Sequence, residues 1–137
     1  MWELPDQSTT PNHPLKPRHL RLHSLFAPSV EERGTSVSRP NPVEHRRLIL
    51  GNGDVRISYV VAGDASPYYR NAVGDECVYV QEGSGVVETV FGELPYRTGD
   101  YVILPRATTH RWVPAELSRL YAVEANSHIA PPKRYLS

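Results

Sequence analysis

The chain has 137 residues and carries 15 Lys and Arg against 15 Asp and Glu, a net charge of zero. That balance leaves no electrostatic footprint for nucleic acid or an acidic membrane. One cysteine, Cys77, excludes an intrachain disulfide framework and a Cys-rich zinc site.

The first third of the chain differs from the rest. Seven of the 13 prolines fall there: Pro5, Pro11, Pro14, Pro17, Pro28, Pro40 and Pro42. Each removes a backbone donor and restricts the residue before it, and the apolar residues between them follow no period. Residues 1–43 therefore read as a Pro-rich arm, mostly disordered or loosely draped over the core. RHLRLHSLF, from Arg18 to Phe26, could wind into a short helical turn with His19 and His23 on one face. Four-residue spacing can serve a metal, but a third ligand is missing, so a basic patch in a tail is the better reading. The opening MWELPDQSTTPNHP lacks the basic start and apolar stretch of a secretory signal. No apolar run approaches the roughly 18 residues of a membrane span. A cytoplasmic location is the default expectation.

Residues 44–137 read as one all-β domain. RRLILGNGDVRISYVVAG gives strand, turn, strand; Asn52-Gly53 between apolar runs signals a hairpin, because both residues tolerate positive φ. In the second strand Val55, Ile57, Tyr59 and Val61 share one face by the period of two, and Arg56 and Ser58 share the other, read as wet. Further strands are expected over residues 76–81, 86–91, 101–104, 108–113 and 119–125. Short strands at this spacing, punctuated by EGSG, Gly92 and TGD, predict a sandwich or barrel. A core of this size buries limited apolar surface, so partner contacts would help.

Two half-motifs lie inside this region. Glu76 is followed after six residues by Gly83, and Gly99 after five residues by Pro105, with His110 five positions further on. This skeleton resembles the two motifs of the cupin jelly-roll barrel. Metal-binding cupins also place a His-x-His pair three or four residues before the glutamate. Here those places hold Arg70 and Ala72, or Tyr69 and Asn71.

Alternation puts Glu76 on one face with Val78 and Val80, and His110 on one face with Thr108 and Trp112. A carboxylate turned into a barrel must be paired, metal-bound or protonated. Glu76 and His110 are thus the candidate metal ligands. Yet non-haem iron takes two histidines and a carboxylate, and only one of each is found. Tyr69 or Asn71 could add only a weak oxygen ligand. A hydrogen-bonded Glu76–His110 pair in a metal-free barrel is the plainer expectation. His128, past the last strand, reads as a surface residue. Cys77 has no basic neighbour in sequence to make it nucleophilic.

The run NAVGDECVYVQEGSGVVETVFGELPYRTGDYVILPRATTHRWVP, followed by RLYAVEANSHIAPPKRYLS, closely resembles the N-terminal cupin half of bacterial homogentisate 1,2-dioxygenase. YRNAVGDE, TTHRW and HIAPPKRYL are its most specific pieces. The resemblance covers about residues 45–137. It implies a ring-cleaving dioxygenase of tyrosine and phenylalanine breakdown, acting on a small aromatic acid with O2 and one Fe(II), in an oligomer. It also implies that the two histidines and the glutamate that hold the iron lie in the second cupin half. No residue here then inherits a catalytic role, and the chain is expected to be inactive alone, as an N-terminal half, a truncated copy or a split subunit paired with a second cupin half. The alternative is a stand-alone, metal-free cupin that binds a small molecule as a sensor or storage module, or a structural subunit.

Overall fold

Eight strands form two antiparallel sheets in the computed structural model, which describes residues 19–25 and 39–136. They are β1 (Arg47–Gly51), β2 (Val55–Ala62), β3 (Asp75–Glu82), β4 (Ser84–Thr89), β5 (Gly92–Arg97), β6 (Tyr101–Leu104), β7 (His110–Pro114) and β8 (Ser118–Ala125). The larger sheet runs β1-β2-β8-β3-β6 and the smaller β5-β4-β7. This is the expected all-β cupin jelly roll. The inner faces meet in one core built from Val60, Ala62, Val78, Val80, Val87, Tyr96, Val102, Leu104, Trp112, Leu120 and Ala122. Apolar residues at every second strand position, five of them valines, suit a pleated surface buried on one side.

Most of the arm expected over residues 1–43 lies outside the described residues. What is described is a single helical turn, α1 (Leu22–Leu25), and residues 39–43. His19 precedes the turn, so no helix sets its spacing from His23; Arg18 and Phe26 lie outside the described residues. Residues 39–43 belong with the barrel rather than with an arm. Pro42 is fully buried and Val43 packs against the core. Asn41 organises the turn that follows: its Oδ1 accepts from the backbone N–H groups of Val43 (3.1 Å) and Glu44 (2.9 Å). An asparagine oxygen that accepts from backbone donors two and three residues on closes an Asx-type turn.

The hairpin at Asn52-Gly53 forms, but by other means than expected. Neither residue has positive φ. Instead Asn52 Oδ1 accepts from the N–H groups of Asp54 (2.8 Å) and Val55 (2.9 Å), so the side chain closes a three-residue loop. The face assignment in β2 is also corrected. Arg56, Ser58, Val60 and Ala62 pair across to Glu124, Ala122, Leu120 and Ser118, the inward face of β8. The supposed wet side is the barrel interior.

The outward face explains the misreading. Cross-strand register places Tyr59, Tyr121, Tyr79 and Tyr101 in one row, with Ile57, Val123, Cys77 and Ile103 in the next. Tyr59 is buried there, its hydroxyl donating to Gln81 Oε1 at 2.6 Å, and the Tyr79 and Tyr101 rings lie 4.8 Å apart. Such cross-strand aromatic contacts bury apolar surface on the outside of the sheet.

Candidate functional site

The inner face of the larger sheet changes character toward one end. Past the aliphatic layer, Arg56, Glu124 and Glu76 stand side by side on β2, β8 and β3, in direct cross-strand register. Glu76 is fully buried. Two carboxylates directly opposite repel each other, and a buried one needs a counter-charge.

Arg46 supplies it. The turn closed by Asn41 delivers this arginine to the end of the barrel just ahead of β1. Its Nη1 lies 2.8 Å from Glu76 Oε2 and 3.2 Å from Glu124 Oε1, and its Nε donates to the Pro42 carbonyl at 2.9 Å. Val43, Arg46, Leu48, Arg56, Ser58, Tyr69 and Glu124 line a cavity of about 190 Å³ above this cluster.

His110 approaches from the smaller sheet. It exchanges both backbone hydrogen bonds with Tyr69 (2.8 and 2.9 Å), and the two rings meet edge to face at 5.6 Å. Its Nδ1 is 2.9 Å from the Thr108 carbonyl. A carbonyl only accepts, so Nδ1 carries the hydrogen and Nε2 of the neutral ring is left as an acceptor. Burial pushes this imidazole below its ordinary pKa, which keeps it neutral. Burial, and next the Glu76 carboxylate, push the Tyr69 phenol up to about 12.

The expected Glu76–His110 hydrogen bond is therefore absent. Glu76 Oε1 and His110 Nε2 are both buried without a partner, and both are acceptors. The partner of Glu76 is Arg46, thirty residues earlier in the chain. Nothing in the period of the strands marked Arg46, which the sequence places in the first strand and the structure places between the turn and β1. The one available signal was the demand of a buried glutamate for a cation.

The donor set does not fit Fe(II). Among the described residues no group of three or more His, Cys, Asp and Glu side chains is placed to hold a metal. Glu76 and His110 offer one carboxylate and one imidazole, and a guanidinium already sits on the carboxylate. Asn71, the other weak candidate, uses its Oδ1 to accept from the N–H groups of Val73 and Gly74.

The remaining sequence candidates lie elsewhere. His128 is exposed, with its Nδ1 2.6 Å from Oδ2 of the buried Asp75. Asp75 also accepts from the N–H groups of Arg106 and Ile129, both at 2.8 Å. These hydrogen bonds, that from Arg106 foremost, hold its carboxyl below the usual range. Asp75 thus ties the loop after β6 and the segment after β8 to the start of β3. Cys77 sits half-buried on the outer face, its thiol pushed up by burial. No described helix is long and apolar enough to cross a membrane.

Comparison with known proteins supports the fold and finds a sequence similarity to part of a larger protein. No family model matches the chain. Over 92 residues, 66% of this chain, it is 36% identical to the protein of Saccharolobus solfataricus named "Putative dioxygenase". The matched part is 24% of that protein, so the chain spans about a quarter of the length of this curated relative. Among solved structures, a cupin superfamily protein from Desulfitobacterium hafniense superposes with a TM-score of 0.60 at 14% identity, covering 79% of this chain and 90% of that one. A cupin-2 domain protein from Shewanella frigidimarina superposes with a TM-score of 0.54 at 19% identity, covering 58% and 78%. The cupin domain of Schizosaccharomyces pombe Cnp3 gives 0.56 at 14% identity, covering 58% and 62%. The chain has the cupin fold and is similar in sequence to part of a dioxygenase-like protein.

Proposed function

We propose that this barrel is the N-terminal, iron-free cupin half of a homogentisate 1,2-dioxygenase-type enzyme. In this reading the enzyme opens the ring of a small aromatic acid with O2. Its Fe(II) and catalytic residues sit in a second cupin half, on the same polypeptide or a separate one. This barrel contributes the scaffold against which that half is held.

The similarity over 92 residues to the dioxygenase-like protein of S. solfataricus carries the reading. The specific runs YRNAVGDE, TTHRW and HIAPPKRYL narrow it to the homogentisate type. The interior chemistry is consistent with a scaffold role, since Arg46 rather than a metal balances Glu76.

A chimera tests it. Residues 39–137 are put in place of the N-terminal cupin half of a homogentisate 1,2-dioxygenase, and homogentisate-dependent O2 uptake is recorded. The expected result is a folded, iron-loaded chimera that turns over. A chimera that folds and holds iron without turnover contradicts the proposal.

A further inference from the structure

We infer that the cavity beside β1 and β2 is a binding site for a small monocarboxylic acid with a compact apolar body. The inference goes beyond the scaffold role, which gives the cavity no task, and stands whether or not that role holds. Its lining is polar on β2, where Arg56 and Ser58 face the space, and apolar around them. Ser58 is only 3% exposed, yet its hydroxyl has no hydrogen-bond partner among the described residues. A buried hydroxyl left so costs free energy, and a ligand oxygen that accepts from it removes the cost. Two positions earlier on the same face, the Arg56 guanidinium forms no ion pair or hydrogen bond among the described residues. Arg46 spends Nε and Nη1 on Pro42, Glu76 and Glu124, which leaves its Nη2 as a further donor.

Guanidinium and hydroxyl donors together match a carboxylate, whose two oxygens fit the planar fork of arginine. Val43, Leu48 and the Tyr69 ring line the same space and suit an apolar body. Leu48 stands opposite Ser58 in the β1–β2 register, so head and body are read by neighbouring strands. Charge limits the head to a single negative charge. Arg46 and Arg56 together offset Glu76 and Glu124 at this end, so a monoanion enters surroundings of no net charge, whereas a dianion meets stronger repulsion from the two carboxylates. Size limits the body. A volume of about 190 Å³ lies below the roughly 300–1,000 Å³ of sites for drug-sized ligands.

The test titrates sodium benzoate into the full-length, nitrogen-15-labelled chain and follows its amide signals by NMR. Benzoate should give saturable shifts at Leu48, Arg56 and Ser58, with a Kd on the order of 1 mM or below. Benzamide, its uncharged near-isostere, and inorganic phosphate, which has no apolar body, should each bind about ten-fold more weakly or worse. Arg56→Gln should weaken benzoate about ten-fold or more, and Ser58→Ala about three-fold. Arg97→Gln, at an exposed arginine on β5 outside the cavity, should leave benzoate binding unchanged. Arg56 is itself exposed, so its variant keeps the fold even where Ser58→Ala does not. Benzamide or phosphate binding as tightly as benzoate, undiminished binding in Arg56→Gln, or no saturable shift at millimolar benzoate would overturn the inference.

Discussion

Glu76 and His110 share the barrel interior without a hydrogen bond between them. The imidazole spends its one N–H on the Thr108 carbonyl, and the carboxylate takes its proton donor from Arg46. Two acceptors cannot satisfy each other unless one of them holds a proton.

Energetic coupling should follow that geometry. In urea denaturation at neutral pH, Arg46→Met alone should cost about 3–5 kcal/mol, because it strands a buried carboxylate. A double-mutant cycle between Arg46 and Glu76 should give about 2 kcal/mol of coupling or more, and one between Glu76 and His110 less than about 0.5 kcal/mol. The reverse ranking would mean that the imidazole, not the guanidinium, is the partner of Glu76.

Acid should act through Asp75. Its carboxyl pKa is lowered in the folded chain, chiefly by the Arg106 N–H and then by that of Ile129. A folded pKa below the unfolded value of about 3.9 gives stability that is present above that value. It is lost as pH falls through the folded pKa. Asp75→Asn should cost about 1–3 kcal/mol at neutral pH through its weakened hydrogen bonds. Its stability should also fall less steeply than that of wild type below about pH 4. Parallel acid limbs for the two proteins would assign the effect to other carboxylates.

Alkali should act through Tyr69. With its phenol pushed up to about 12, this residue keeps its proton in the folded chain after the unfolded chain has released it. The unfolded state then binds fewer protons than the folded state above about pH 10, so stability falls as pH rises toward 12. Tyr69→Phe should make that fall shallower, and ultraviolet titration of the variant should lack a late-ionising phenol. An unchanged titration curve would show that Tyr69 ionises like an exposed tyrosine.

Two glycines should respond in opposite ways to alanine. A Cβ on Gly74 would lie 1.6 Å from the Ala125 carbonyl oxygen, a backbone atom of the strand that pairs with β3. Gly74→Ala should cost about 1–3 kcal/mol, because strand and loop must part. Gly53 has open space around its Cβ position and no positive φ. Gly53→Ala should be neutral or stabilise by about 0.4–1 kcal/mol through the unfolded chain. Thermal melts of the two variants make the comparison, and equal midpoints would contradict the packing at Gly74.

The sequence carried the barrel better than its polar end. Alternation correctly turned Glu76, Val78 and Val80 inward and put His110 and Trp112 on one face, which is buried. The same rule failed in β2. There the inner face carries Arg56 and Ser58 beside the cavity, while the outer face buries Tyr59 in a row of tyrosines. Alternation reports which face is apolar, not which face is inside. Strand β5 escaped notice because GELPYR is mostly exposed and contains Pro95, which is tolerated since β5 is an edge strand. Arg46 escaped because it stands just outside the strand it was read into, and a contact thirty residues away leaves no local trace.

The most direct measurement is an anaerobic Fe(II) titration of the purified chain, followed by O2 uptake on homogentisate. The barrel described here, with its buried carboxylate held by a guanidinium, should retain far less than one equivalent of iron after desalting and consume no oxygen. Iron retained at close to one equivalent, with homogentisate-dependent oxygen uptake by this chain alone, would contradict the account.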